Sequence, residues 1–200
     1  ITGIANLIES RDGSTGLHVK NTQNYVQILT KALREKGMYP DILDHNYELN
    51  TVKASVLHDI GKIKTPDAIL LKPGRLTDEE FEVMKQHTVA GCEIIDRIIG
   101  NVEHEEYVDI ARKIARYHHE RWDGTGYPDG LSGEEIPLCA RIMALADVFD
   151  ALYQDRCYKK AIRPASKVFE IIKENSGSQF DPNLTEIFLE LQREITDISE

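Results

Sequence analysis

LHVKNTQNYVQILTKALREK, residues 17–36, is the stretch that decides the fold class. Within it His18, Thr22, Tyr25, Leu29 and Ala32 recur at spacings of three and four, one face of an α-helix, and Gly37 stops the pattern. His18 therefore shares an inward stripe with apolar neighbours. The same period continues along the chain. A second helix is predicted from about Tyr47 to Ile60, closed by Gly61, with His58 and Asp59 of VLHDIGK (56–62) on its last turn. Thr77 and Glu80 form a capping-box pattern opening a long helix to about Ile99, with Phe81, Met84, His87, Gly91, Ile94 and Ile98 as its inner stripe. A helix from about Glu105 to Glu120 carries His118 and His119, which would point about 100° apart and need not reach the same atom. Pro137 opens a helix to about Tyr153 in which Ala140, Ala144, Asp147 and Ala151 share a face of small residues that permits close approach. A helix from about Ala165 to Asn175 and an apolar segment from Leu184 to Ile195 close the set. No alternating strand and no hairpin signal interrupts it, so the expected fold is all-α, a compact multi-helix bundle.

With 200 residues, 41% of them hydrophobic, the chain can build one real core, and residues 1–200 read as one domain. The formal net charge of -10 argues against a nucleic-acid duplex or an anionic membrane as the main partner, since either needs a broad basic face. An anionic small molecule stays compatible where bound metal supplies positive charge locally. No apolar run of spanning length and no secretory leader is present, which predicts a soluble, cytoplasmic domain without membrane insertion. Cys92, Cys139 and Cys157 are widely spaced and form no CxxC, as expected of thiols packed in a reducing compartment. ITGIANLIES, residues 1–10, reads as the tail of an amphipathic helix arriving from a preceding domain. Such a helix is compatible with a homodimer.

The inward stripes carry too many polar groups for a plain core. His18, His58, Asp59, His87, His118, His119 and Asp147 are seven potential donors, and five of the chain's seven histidines are among them. A single inward histidine is ordinarily a hydrogen-bonded core residue, and an inward aspartate without a partner is costly. Seven together point to metal. Neutral imidazole and carboxylate suit iron, manganese or zinc, and the lack of thiolate argues against a structural zinc site. Seven donors exceed the needs of one ion and fit two that share a carboxylate, an arrangement used to hydrolyse phosphate esters. Asp59, beside His58 and able to present two oxygens, is the expected bridge.

These residues resemble the HD-GYP phosphodiesterases, a branch of the HD metal-dependent phosphohydrolases. The resemblance runs through RDGSTGLH (11–18), HDIGKI (58–63), PDAILLKPGRLTDEEFEVMKQH (66–87), YHHERWDGTGYPDG (117–130), ALADVFDAL (144–152) and SGSQFDPNL (176–184). It implies that His58 and Asp59 are the HD ligands, His87 the ligand of the next helix, His118 and His119 the tandem pair, Asp147 the last carboxylate and His18 the amino-terminal ligand. Gly126, Tyr127 and Pro128 match the GYP motif, in a glycine-rich loop expected to shape the substrate pocket beside the metals. Arg156 and Lys159, in DRCYKKA, match a basic pair that contacts phosphate. Many members hold a third ion with a Glu one helical turn before the first histidine. Here that position is Ser14, so two ions, iron or manganese, are expected rather than three.

The implied substrate is cyclic di-GMP and the implied reaction its hydrolysis to pGpG, with a further step to GMP left open. The expected nucleophile is a hydroxide bridging both ions, its pKa lowered by them. Lys62, one turn after His58 if the backbone keeps coiling, is expected to neutralise a phosphate oxygen or aid the leaving group. Asp150, one turn beyond Asp147, is expected to pair with Lys62 or orient water. Trp122 and Tyr127 are candidates for stacking on guanine. Two alternatives stay open at this point: a non-catalytic receptor or docking module for diguanylate cyclases, and an HD hydrolase of another dinucleotide such as cyclic GMP-AMP.

Overall fold

The computed structural model describes residues 2–12, 17–100, 105–154 and 160–199, and all regular structure among them is helical. Ten α-helices follow in order: α1 (Thr2–Glu9), α2 (His18–Glu35), α3 (His45–Ala54), α4 (Asp67–Leu70), α5 (Asp78–Ile99), α6 (Glu105–Tyr117), α7 (Leu138–Tyr153), α8 (Ala165–Glu174), α9 (Pro182–Glu190) and α10 (Gln192–Ser199). No helix of the described residues is long and apolar enough to cross a membrane. Ser14, Arg156, Cys157 and Lys159 lie outside the described residues.

The core is organised around α7. Cys139, Ile142, Met143, Leu145, Ala146 and Phe149 are fully buried, and the expected small face at Ala140 and Ala144 is one buried side of a helix surrounded by others. Tyr25 of α2 meets the Phe149 ring edge-on at 5.1 Å, and Phe169 of α8 and Phe188 of α9 close around the same ring at 4.9 and 5.7 Å. Each such side chain removed from water stabilises the bundle by roughly 1.5–3 kcal/mol. Since α7 also carries Asp147 and Asp150, the best-packed element of the molecule holds two of its acidic groups.

Three expectations differ. The second helix ends at Ala54, and 3-10 turns at Ser55–Leu57 and Ile60–Lys64 follow it, so His58 and Asp59 stand on the junction between the turns. Gly61 does not stop a helix by a left-handed turn. A Cβ there would lie 1.8 Å from the His87 carbonyl oxygen and 2.5 Å from the Gly91 nitrogen, so glycine is needed for backbone to touch backbone. Gly91 in turn faces the Ala115 side chain of α6. This contact fixes which side of α5 faces inward: His87, Thr88, Ala90, Gly91 and Ile95 are buried, whereas Phe81 and Ile98, expected in the stripe, are 44% and 57% exposed. Finally, α6 stops at Tyr117, leaving His118 and His119 on the turn beyond it. The capping box at Thr77 and Glu80 is present as expected.

Candidate metal centre

Three structural devices bring the donors together. Helices α2 and α7 cross in the core and place His18 against Asp147; the glycine contact presses the His58–Asp59 junction onto α5 beside His87; and the turn after α6 delivers His118 and His119 to the same point. Two groups of donor atoms result, each within 4.8 Å of one another: His18, His58 and Asp147, and Asp59, His87, His118 and His119. His18 Nε2 lies 3.4 Å from Asp147 Oδ1 and 3.3 Å from His58 Nε2. Asp59 stands between the groups. Its Oδ2 is 3.4 Å from His58 Nε2, and its Oδ1 is 3.2 Å from His87 Nε2 and 3.6 Å from His118 Nε2.

The hydrogen bonds behind the rings show what these atoms are for. Nδ1 of His58, His87 and His118 donates to the carbonyl oxygens of Ser55, Met84 and Ile114, at 2.9, 2.7 and 3.0 Å. His18 Nδ1 donates to Asp150 Oδ2 at 2.6 Å. With the proton held at Nδ1, each ring, when neutral, turns an Nε2 lone pair toward the centre. Lone pairs and carboxylate oxygens then face one another at short range with no proton between them, which is repulsive unless a cation intervenes. Asp59 Oδ1, His87 Nε2 and His118 Nε2 are buried without a hydrogen-bond partner, an arrangement that native cores avoid unless a ligand completes it. The residues fit a metal.

The electrostatics point the same way. Burial, together with the neighbouring His118 and His87, holds the His119 imidazole well below its usual range, and burial lowers His118 despite the nearby Asp59. Both rings are therefore neutral at pH 7. Burial alone would raise the carboxyls of Asp59 and Asp147, but the Lys62 ammonium outweighs it at Asp59, and Asp147 is likewise held below the ordinary carboxylate range; a cation among the donors would act in the same direction.

The glycine-rich loop is built onto this centre. A Cβ at Gly126 would meet the Arg121 nitrogen at 2.3 Å and the His119 oxygen at 2.6 Å, so the loop can double back on the tandem histidines only with glycine there. Tyr127 then stacks on His119, with ring centroids 4.8 Å apart. Glu120, buried directly after the pair, accepts backbone hydrogen bonds from Asp129, Gly130 and Leu131 at 2.8–3.1 Å and pins the far side of the loop.

A family model for the HD domain matches residues 5–184. The chain belongs to the HD domain family. The chain carries the pair His58-Asp59 and the run Gly126-Tyr127-Pro128, and its relatives put it in the HD-GYP branch. This HD domain is 46% identical to a cyclic di-GMP phosphodiesterase of Vibrio cholerae across its full length, which is 40% of that protein. It is 37% identical to a 3'3'-cGAMP-specific phosphodiesterase of the same organism, over 95% of this chain and 34% of the relative. The chain thus spans less than half the length of these curated relatives. Among solved structures, a cyclic GMP-AMP specific phosphodiesterase of V. cholerae superposes with a TM-score of 0.65 at 20% identity, covering 99% of this chain and 51% of the other, a likeness of fold.

Within the HD domain, all seven expected donors stand in the two groups. Lys62 reaches the same place, its Nζ 2.6 Å from Asp59 Oδ2. Asp150 does not follow the expectation that it pairs with Lys62 or orients water. It lies behind His18, with Oδ2 on the imidazole and Oδ1 taking hydrogen bonds from Asn21 and Tyr25 at 3.1 and 3.5 Å. Trp122 packs beside the Arg141 guanidinium, itself ion-paired to buried Asp181 at 2.6 Å. Sequence reasoning missed Glu120, Asn21 and Tyr25 as supports. The run His118-His119-Glu120 carried a signal, because a carboxylate just before a glycine-rich loop is well placed to collect the loop's amides. Nothing local marked Asn21.

Proposed function

We propose that this HD domain is a metal-dependent phosphodiesterase that opens cyclic di-GMP to pGpG. The observation that supports it most is the position of Asp59, one oxygen toward each donor group, which suits a pair of ions sharing a carboxylate. The names of the curated relatives point to the same substrate class. We take the ions to be iron or manganese: His18, His58 and Asp147 would hold one and His87, His118 and His119 the other, with Asp59 serving both. Bound there, they would supply Lewis acidity toward a phosphoryl oxygen and acidify a water for attack at phosphorus.

The chain's own groups account for the remaining needs. The Nδ1 hydrogen bonds hold four imidazoles in the ligand tautomer before any metal arrives, so little reorganisation is needed at the moment of reaction. Asp150 is a positioning residue that acts through His18. Lys62, placed by the Ile60–Lys64 turn at the edge of the donor set, bears a positive charge that can meet a phosphate oxygen and deliver a proton to the leaving ribose oxygen as its bond to phosphorus breaks. Tyr127 keeps its phenolic proton, because burial and the Asp59 and Asp147 carboxylates all push its pKa up, and it can only serve as a neutral donor or a packing surface. Arg156 and Lys159 are proposed to contact the second phosphate.

The test is anaerobic purification with metal analysis, followed by a product time course on cyclic di-GMP. Two ions per chain and appearance of pGpG are expected; loaded protein that forms neither pGpG nor GMP overturns the reading. A second substrate, cyclic GMP-AMP, is favoured by the relative that is specific for it. Competition between the two dinucleotides for the same loaded protein separates them, and binding without turnover would instead favour a receptor.

A further inference from the structure

Phe81 is a large apolar side chain that packing leaves partly uncovered. It lies on the first turn of α5, where the sequence period puts it in the core, yet 44% of it is exposed. Its ring meets Tyr127 edge-on at 5.9 Å, and Tyr127 is stacked on His119 of the candidate metal centre at 4.8 Å. Phe81 is thus two ring-to-ring steps from a metal-ligand candidate, on the outer side. Lys85, one turn further along α5, holds its ammonium 5.6 Å from the Phe81 centroid and 5.8 Å from that of Tyr127, and is itself anchored by Glu82 at 2.6 Å.

A half-exposed aromatic ring fixed beside a phosphodiester site, with a cation at its edge, is the makings of a base-stacking ledge. We propose that Phe81, steadied by Tyr127 and Lys85, stacks on a purine base of the cyclic dinucleotide and so sets affinity for base-bearing substrates. This rests on the phosphodiesterase reading above. The surroundings favour a base over a phosphate as the occupant: Lys72 and Lys85 are paired with Glu80 and Glu82, and Asp78 and Glu79 add negative charge on the same first turn, so the patch is acidic on balance and repels an anion but not a neutral purine. They also favour a base over a protein side chain, since Phe81 is joined to the donor groups through Tyr127 and His119, with ring steps of 5.9 and 4.8 Å, a separation that one nucleotide can bridge. Stacking is sequence-tolerant, so the ledge holds the base without identifying it.

The test uses metal-loaded protein with Phe81→Ala and Phe81→Trp, and two substrates, cyclic di-GMP and methyl p-nitrophenyl phosphate, a small diester without a purine. Phe81→Ala should raise KM and Kd for cyclic di-GMP about 10-fold, as expected for loss of one stacked base, with metal content and turnover of the small diester changed less than about 2-fold. Phe81→Trp should restore affinity. Because the chain has one tryptophan, Trp122, the added indole can be read against the wild-type background, and its fluorescence should be quenched by cyclic di-GMP. Equal losses on both substrates, or fluorescence of the added indole indifferent to the nucleotide, would overturn the ledge. Wild-type protein that binds cyclic di-GMP without turnover would sink the phosphodiesterase reading while the affinity and quenching arms still decide this one. Wild-type protein that binds no cyclic di-GMP sinks both.

Discussion

The two donor groups are built from different materials. The group of His18, His58 and Asp147 leans on α2 and α7, where Tyr25 and Phe149 are fully buried and the Asp150 carboxylate locks His18 from behind. The group of Asp59, His87, His118 and His119 draws three of its four residues from turns, held against α5 by the Gly61–Gly91 contact and oriented by backbone carbonyls. It is also the group with orphaned buried atoms, and the one the Gly126 loop folds over. Rigid core thus serves one side of the centre, and close backbone contact serves the other. A helix bundle can supply its ligands either from well-packed helix faces or from turns that glycine allows to approach, and the second route leaves its atoms less satisfied without metal.

Asp59→Asn should do most to break the comparison, because it weakens both groups at once. Turnover of cyclic di-GMP should fall by about 10³-fold or more, in line with losses seen when a charge-stabilising group is removed, and at least one ion should be lost on metal analysis; a variant retaining both ions would refute the shared carboxylate. Gly61→Ala acts first on the turn-built group, through the His58–Asp59 junction that the glycine contact presses onto α5. The added Cβ must displace the His87 carbonyl, which should cost about 3 kcal/mol as backbone shifts. Its urea midpoint should drop, and the protein that remains folded should lose metal from the Asp59 side first. Asp150→Asn acts on the core-built group alone: asparagine can offer His18 an amide proton and so favour the wrong tautomer. Metal affinity should weaken about 10–100-fold, checked by competition with a chelator, while the denaturation midpoint moves little.

The remaining effect is that of pH on the metal-free protein. His118 and His119 have native pKa values below the unfolded value, so on acidification the unfolded chain takes up protons that the native state refuses. Stability is fully present above about pH 6.5 and falls as the pH drops below it, by up to about 1.4 kcal/mol per pH unit for each histidine concerned. The lowered carboxyls of Asp59 and Asp147 add a loss of the same sign at more acidic pH. Denaturant midpoints between pH 5 and pH 7.5 check the slope, and loading with metal should steepen it, since ligand nitrogens must be deprotonated to bind. A midpoint that rises on acidification would contradict the neutral-histidine arrangement.

The donors are legible in the sequence and their supports are not. His18, Tyr25 and Leu29 stand out because a long amphipathic helix repeats its signal over several turns, and the capping box at Thr77 announces itself in four residues. The short turns around His58 and Asp59 repeat nothing, so the pattern runs the preceding helix too far, to Ile60 rather than Ala54. Helix geometry makes the tandem histidines diverge, whereas their ring centroids are 4.0 Å apart because the helix has already ended. Periodicity places Phe81 in the core since it counts apolar residues without knowing which face a glycine contact will select.

By itself, then, the sequence determined the helical class, the seven donors and the capping box at Thr77, since these follow from residue type and local spacing. Tertiary structure alone decided that Asp59 lies between two groups, that Asp150 backs His18, and that Phe81 faces outward beside Tyr127. Those are relations between segments far apart in the chain, fixed by how buried faces pack, and no local period encodes them.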